Sequence, residues 1–596
     1  NEWNFSADDA AGYQLKYTTA AVNALPTEQV YLEIAYGNIK HYVPVTPFVL
    51  KLYYPSRDIM YVGGSSILAN GITSYKVSDD TPAAWKTEFS TDGGRSWTVT
   101  RPAWITDFTM NGAGSKMYDL CRASIAAQTA KPNLHNAAPR NAAAVSNYNL
   151  SNHAGGSTVE NTANCYVVNA PGSYIFPAVY GNGYKNKSIN YQAYKPTTTG
   201  SNILSPFVDY LGNSITHPEI NKTYTPANAC LVWQDSPNLI SDVALVGTST
   251  VSFKVDRATI RQGNAIIALR DASDRIIWSW HIWVTDYRLG DELKTIDNGR
   301  GMITTVMPYY LGWCFHDEYD GRSVQVRITQ TESGLSRTFT VNQLPYKFGD
   351  CTFYQWGRKD PMLGLLPNVQ AVNFGTVPLS KSCYAENQAY MFSSRNMSAD
   401  YVLNNKTRLQ DLIREPYCMD SHWVDSKGEV MHSYLDHQYS NLWSANSPFI
   451  GRNFDPPYPL GVQTIKTIYD PSPVGYCIAP TGAFNSFSLT GKNIFSDAEP
   501  YINTAATSYL DYTFYCEPNK TGETITLYKS GFRNGAVKFQ AREIGLGVGS
   551  YFYLLLANPL ADYTNALTSG GSTASISVML GSERGLGLPV LPAKEQ

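Results

Sequence analysis

The run FYQWGRKDP, from Phe353 to Pro361, sets Arg358, Lys359 and Asp360 side by side after a strand-like segment. Only 16% of the chain is charged, against roughly 25% in an average soluble domain. A cluster of this kind suits a catalytic loop, a ligand rim or a tight domain entry held by its own hydrogen bonds. His316, Asp317, Glu318 and Asp320 form a second group with acid or metal-ligating potential. Asp320-Gly321 also reads as a hairpin turn solvated by these acids, and the residues favour that reading. The nine cysteines are Cys121, Cys165, Cys230, Cys314, Cys351, Cys383, Cys418, Cys477 and Cys516. They show no CxxC and no histidine at zinc spacing, so most read as small buried hydrophobes. Their odd number leaves at least one unpaired within the chain, and a few disulfides remain open. Cys165 and Cys314 stand in apolar strand contexts and are expected to be buried and metal-free. No GxSxG, HExxH, Walker or dinucleotide fingerprint occurs. Carboxylate pairs for glycoside hydrolysis leave no fixed spacing and are not tested by sequence. No metal or cofactor is expected.

These residues must be positioned by β-structure. Aromatics make up 13% of the 596 residues and 42 of the residues are tyrosine, a composition that suits pleated sheet and rigid surface contact. The formal charge of -3 and the lack of a basic stripe argue against nucleic acid as a partner. No apolar run approaches the roughly 20 residues of a helical membrane span. Asn1 is not an initiator methionine, so the chain reads as a processed or trimmed form.

Period-2 alternation recurs along the first 345 residues. Val30, Leu32 and Ile34 alternate with polar neighbours, as do Val251, Phe253 and Val255. Asp92-Gly93-Gly94, Pro171-Gly172, Asp271–Asp274 and Ser333-Gly334 supply turn signals. Trp85, Trp97 and Trp104 read as core aromatics of a small sandwich. In IIWSWHIWV, Trp278, Trp280, Ile282 and Val284 fall on one face, and Ile277, His281 and Trp283 on the other. Both faces look covered, which predicts a central strand with His281 as a hydrogen-bonded structural histidine. Residues 126–163 are rich in Ala, Asn and Ser and read as a long connection. KTRLQDLIRE is the clearest helix, with Leu409, Leu412 and Ile413 at helical spacing. The expected organisation is an N-terminal β segment over 1–55, an Ig-like β-sandwich over 56–130, a β domain over 131–345 and an irregular α+β domain over 346–596.

Glu517-Pro518-Asn519 matches the calcium- and mannose-selecting tripeptide of C-type lectins, without the downstream Trp-Asn-Asp run. A turn around Pro518-Asn519 is the favoured reading. The loop-rich C-terminal part also carries Tyr434, Tyr439, Trp443, Tyr458, Tyr501, Tyr509 and Tyr512 among Gly, Asn, Ser and Pro. Aromatic rings on loops are where binding energy concentrates, so these seven form the candidate ligand-binding set.

Long stretches resemble a known family. NTANCYVVNAPGSYIFPAVYGNG (161–183), ACLVWQDSPNLI (229–240), GNAIIALRD (263–271) and IIWSWHIWVTDY (276–287) resemble a module of fimbrillin-like, type V pilus-related surface proteins of Bacteroidetes. YQWGRKDPM (354–362), KTIYDPSPVGYCIAP (466–480), SGFRNG (530–535) and RGLGLPVLPAKE (584–595) resemble the C-terminal module that follows it, of sulfatase-modifying, C-type lectin-like fold. The resemblance covers 161–596, and residues 1–125 resemble Ig-like surface repeats loosely. It implies a mainly β protein at the cell surface, extracellular in a fimbrium or at the outer membrane through a lost or absent anchor. The implied function is a non-enzymatic adhesin or pilus subunit, with the tip as the position that fits it. Its partners would be pilus subunits joined by donor-strand complementation and a glycan or host surface protein. The alternatives are an outer-membrane polysaccharide-binding lipoprotein and, less well supported, a glycan-active enzyme or degenerate sulfatase modifier. The sulfatase-modifying enzymes need a pair of active cysteines late in the domain. Cys477 and Cys516 do not stand in a recognisable active motif, which puts that chemistry in doubt.

Overall fold

The structure, a computed structural model, describes residues 3–8, 12–17, 30–36, 39–45, 48–53, 72–77, 85–108, 111–112, 119–121, 123–125, 146–200, 202–319, 322–330, 336–343, 346–366, 379–381, 383–385, 409–417, 423–424, 430–431, 439–447, 462–494, 499–507, 511–534, 544–546, 551–559, 564–570, 576–582 and 584–596. It is mainly β, with 41% strand against 5% helix and no closed barrel. The expected turns at Ser333-Gly334 and Asp320-Gly321 lie outside the described residues, as does 126–145 of the expected connection.

The chain divides into two compact units that do not follow the four expected segments. One comprises Asn1–Lys131, His316–Phe348 and Val369–Phe374, and the other Pro132–Phe315, Gly349–Asn368 and Gly375–Gln596. In the first, Arg322–Gln330 lies between Ser336–Gln343 and Trp85–Ser90. The expected 56–130 sandwich thus shares a sheet with strands more than 200 positions away. Arg327 pairs with Glu88 at 2.9 Å and covers the Trp97 ring at 4.3 Å. Arg322 lies 5.1 Å from the Trp104 ring. Trp97 and Trp104 are half-buried. The expectation of core aromatics is corrected for these two: each is half-buried with a guanidinium over its ring. The Trp85 side chain lies outside the described residues.

The second unit opens with two four-stranded sheets. Strand β1 (Cys165–Val168) leads through Pro171 into β2 (Gly172–Pro177). The sheets continue with β3 (Asn228–Gln234), β4 (Ser241–Val246), β5 (Thr250–Val255), β6 (Gly263–Arg270) and β7 (Ile276–Val284). One sheet runs Tyr148–Asn149, β2, β5, β4, and the other β1, β7, β6, β3. The Pro171-Gly172 turn therefore passes the chain between sheets. Phe176 meets Tyr166 at 4.8 Å and Trp280 at 5.1 Å, locking the sheets face to face. Val251, Phe253 and Val255 are all buried. The β6–β7 hairpin turns at Asp271–Asp274 as expected. Asp271 Oδ1 accepts the Ser273 and Arg275 amides at 2.9 and 3.0 Å, and Asp274 takes the left-handed conformation at φ 62°. Every residue of β7 is buried and it has a neighbour on each edge, the central position its two apolar faces predict.

The rest of the unit packs onto the same core. Strands β8 (Lys294–Asp297) and β9 (Ile303–Val306) form a hairpin. Helix α1 (Leu409–Arg414) buries Leu409, Leu412 and Ile413, the three residues marked by its spacing. Strand β10 (Tyr476–Ile478) follows, then a sheet of β11 (Thr504–Thr507), β12 (Asp511–Glu517) and β13 (Thr521–Tyr528). Strand β14 (Tyr551–Leu555) pairs with Thr564–Gly570. The last strand, β15 (Pro592–Lys594), inserts between β9 and β10, with Ala593 opposite both Val306 and Cys477. One continuous hydrophobic cluster runs from Cys165 to Ala593. The expected boundary at 345/346 consequently does not separate two cores. Among the described residues of 165–345, the only helices are the 3-10 turns Tyr191–Ala193 and Ile220–Lys222. No described helix is long and apolar enough to cross a membrane.

Ala593 is 2% exposed and sits at the centre of that inserted strand. Ala593→Asp would bury an unpaired carboxylate between β9 and β10. It is expected to lower stability by more than about 3 kcal/mol, read as a shift in the urea midpoint of the full chain. An unchanged midpoint would mean that β15 adds nothing to the unit.

Candidate functional site

The run from Tyr354 to Pro361 lies wholly inside the second unit. Trp356 is fully buried. Its ring lies 5.9 Å from Trp443 and under the Arg584 guanidinium at 4.3 Å, and its Nε1 donates to the Ala557 carbonyl at 3.2 Å. Gly357 makes the bend at φ +83°, where a Cβ would stand 2.5 Å from Leu442 Cδ1. Arg358 donates to Gln355 Oε1 at 2.7 Å. The ion partner of Asp360 is Lys359, whose Nζ lies 2.7 and 2.8 Å from its two oxygens and 3.1 Å from the Ser279 carbonyl. Ser279 Oγ donates to Asp360 Oδ1 at 2.6 Å. Burial lowers the Lys359 ammonium to about 8, against the pull of Asp360. The local-bond reading of this run is thus the observed one, with Lys359 as the cation.

A second buried network adjoins it. Asp235, just beyond β3, accepts the Asn264 backbone amide at Oδ1 (2.8 Å) and the Asn264 Nδ2 at Oδ2 (3.1 Å). Lys381 Nζ lies 2.8 Å from Asp235 Oδ2 and 3.2 Å from Asp350 Oδ1. Burial opposes the Lys381 charge, but the two carboxylates outweigh it and hold the ammonium well above its ordinary range. Cys314 completes a set of potential metal ligands with Asp235 and Asp350, all within 4.8 Å of one another. The Lys381 ammonium already supplies a cation to this set, and burial pushes the Cys314 thiol up, away from the thiolate a metal needs.

Asn264 links this network to His281. Its Nδ2 is committed as donor to Asp235 and the Gly312 carbonyl, so its Oδ1 must accept from His281 Nε2 at 2.9 Å. His281 Nδ1 then accepts from the Tyr354 hydroxyl at 3.0 Å. Both ring nitrogens are satisfied in the neutral imidazole, and burial lowers its pKa to about 3. His281 is the structural histidine the strand pattern predicts.

Of the seven aromatic residues expected to bind ligand, Tyr434, Tyr458 and Tyr509 lie outside the described residues. Trp443 is corrected to a core residue: it is fully buried and its Nε1 donates to the Arg358 carbonyl at 3.1 Å. Tyr439 is half-buried, with its carbonyl accepting from Arg584 at 2.7 Å. Tyr501 is 48% exposed, in the turn Glu499–Tyr501 that leads into β11. Tyr512, on the paired strand β12, is half-buried with Lys529 Nζ 4.5 Å over its ring. Tyr501 thus precedes β11, whereas Tyr512 lies opposite Thr507 at that strand's other end and packs 5.8 Å from Phe514 and 5.4 Å from Phe552. Glu517-Pro518-Asn519 begins the β12–β13 turn, whose left-handed residues are Asn519 and Lys520, at φ 63° and 60°. The backbone of His316, Asp317 and Glu318 is strand, and their side chains lie outside the described residues. Cys165, Cys314, Cys351, Cys477 and Cys516 are buried free thiols; Cys230 is buried and Cys383 half-buried.

Sequence reasoning did not find Asp235, Asn264, Asp350 and Lys381. The available signal was faint: Asp235 closes the apolar run CLVWQD in a chain poor in charge. Searches against protein-family models, curated proteins and solved structures find no match to this chain.

The neutral His281 generates a pH dependence. A histidine held at about 3 in the fold and 6.5 unfolded contributes stability that is complete above 6.5 and is lost as pH falls toward 3. The unfolded chain takes up one proton more over this window, a slope of about 1.4 kcal/mol per pH unit. His281→Gln retains a donor and an acceptor. It is expected to be less stable at neutral pH and to lose this part of the acid slope in urea titrations between pH about 6 and about 4. An unaltered slope would show that His281 titrates normally. Gly357→Ala is expected to cost about 1–3 kcal/mol by the same measurement, through strain at positive φ and the clash with Leu442.

Proposed function

We propose that this protein is a cell-surface adhesin or pilus subunit, suited to a tip position, that binds a glycan or host surface protein through loops of its C-terminal part. The observation that carries this reading is where the reactive groups lie. His281, Lys359, Lys381, Cys165, Cys314 and Cys477 are all buried, and His281, Lys359 and Lys381 are held by protein partners. On the surface of the C-terminal part, the Tyr501 ring is 48% exposed and the Tyr512 ring half-buried under Lys529. Exposed rings of this kind stack on sugars and anchor protein contacts at low entropy cost. Burial pushes the Cys477 and Cys516 thiols upward, which is opposed to oxidative thiol chemistry of the sulfatase-modifying kind. The Ig-like and C-type lectin-like assignments belong to the same proposal and draw support from the two-sheet packing and the loop-rich C-terminal part. Assembly by strand complementation calls for open sheet edges. Among the described residues β4 and β13 lie at sheet edges, with Val246 of β4 54% exposed.

Removing residues 346–596 would strip β15 from β9 and open the shared core, so substitution is the cleaner test. Full-length protein carrying Tyr501→Ala and Tyr512→Ala is expected to bind host cells or a glycan array at least about tenfold more weakly, a loss of about 1.4 kcal/mol. Tyr191→Ala, exposed elsewhere, should bind as the parent does. Wild-type protein that binds neither cells nor glycans, or that turns over a glycan, would overturn the proposal. Glycan binding without any self-assembly would favour a polysaccharide-capturing lipoprotein instead.

A further inference from the structure

The Lys381–Asp235–Asp350 triad has the arrangement of a reaction as well as of an ion pair. Its side chains are sealed from water, with Asp235 and Asp350 1% exposed and Lys381 8%. An amine and a carboxyl in contact away from water lack the competing solvent that makes amide formation unfavourable in dilute solution. Their proximity also replaces a bimolecular encounter. Each participant is fixed by its own surroundings. The Lys381 backbone amide donates to the Gly364 carbonyl at 3.0 Å, and nearby Tyr384 exchanges backbone hydrogen bonds with Gln234, next to Asp235. Both Asp235 oxygens are held by Asn264, one by a backbone N–H and one by Nδ2. At Gly364 the backbone comes so close that a Cβ would stand 2.4 Å from Asp350 Oδ1.

We propose that Lys381 and Asp235 condense to an intramolecular isopeptide bond, with Asp350 as the proton relay. Lys381 passes one proton to Asp350, which relays it to Oδ2 of Asp235, and the freed lone pair of Nζ attacks Cγ of the resulting neutral carboxyl. The negative charge that develops on Oδ1 is met by the Asn264 backbone N–H, already aimed at that atom. As the C–N bond forms, Nζ sheds a second proton. Oδ2 takes this proton as well and leaves as water when its C–O bond breaks. The third ammonium proton stays on the amide nitrogen and Asp350 returns to its starting form. Nothing is oxidised or reduced, and no co-reactant is needed. Asp235 is the electrophile because both of its oxygens are held by donors and it is the nearer carboxylate. Asp350, at the longer distance, serves the proton.

The bond would tie the end of β3 to a segment 146 positions later in the chain, closing a covalent loop that contains β6 and β7. A surface protein under mechanical load would then keep this core intact even where its hydrogen bonds open.

The test is the intact mass of the purified full chain in denaturant, with tryptic mapping. The expected result is a mass lower than the sequence mass by one water, and one branched peptide joining Lys381 to Asp235. Lys381→Arg preserves the cation but has no condensing amine, and should show the full sequence mass. Asp350→Asn leaves both reacting groups and should also stay uncondensed. Wild-type protein at full sequence mass, with both residues in separate peptides, overturns the proposal and leaves the triad a buried ion pair. A branch at Asp350 instead of Asp235 overturns the assignment of electrophile and relay. The wild-type mass decides the matter even if the variants do not fold.

Discussion

Among the described residues of the second unit three lysines are taken out of water, Lys466 on the Ser472 and Pro473 carbonyls and Lys359 and Lys381 on carboxylates, and the structure around them is organised by the need to satisfy them. An isolated ammonium in apolar surroundings is too costly to retain its charge. Lys359 is met by Asp360 and Ser279, and Lys381 by Asp235 and Asp350. Such pairs are weak evidence for net stability, because an apolar replacement of similar shape can serve as well. Their effect is on specificity. Deleting one partner strands the other at a cost of about 3–5 kcal/mol, so each pair admits one arrangement of the segments that carry it. The Lys359 group sets the 354–361 run against β7, and the Lys381 group sets 379–385 against β3.

This constraint explains why the unit has one core where the sequence reading expects two. β7 is covered by the opposing sheet through Phe176 and Trp280 and contacted by the 354–361 run through Ser279 and His281. β15 then enters between β9 and β10. The N-terminal sheets and the C-terminal loops therefore share buried surface. The loop-rich C-terminal part can remain irregular because its backbone ends on fixed donors and acceptors: Asn164 Nδ2 bonds the Ile468 and Asp470 carbonyls, and Asn182 bonds that of Lys466. Loops held by such a frame are suited to presenting rings such as Tyr501 at the surface.

Much of the local structure was legible in the residues themselves. Alternation marked β5 and both faces of β7, because side-chain direction in a strand has a period of two. Asp271–Asp274 marked a hairpin because a short carboxylate can cap its own turn. Leu409, Leu412 and Ile413 marked α1 by their spacing. The burial of Cys165 and Cys314 and the structural role of His281 followed from apolar strand contexts. The candidate site was less legible. Trp443 was counted among surface aromatics because loop composition cannot show whether a ring faces solvent or Trp356 and Arg358.

The sequence by itself determined the strand content, the turns and which residues are apolar enough to be buried. These depend on neighbours within a few positions. Only the tertiary structure decided that described residues of 349–366 and 379–596 complete the core begun at 165, that Asp360 pairs with Lys359, and that Asp235, Asp350 and Lys381 meet. Those outcomes rest on contacts between residues tens to hundreds of positions apart. Local periodicity carries no record of which distant carboxylate will meet a buried ammonium, because that choice is made by the packing of whole sheets.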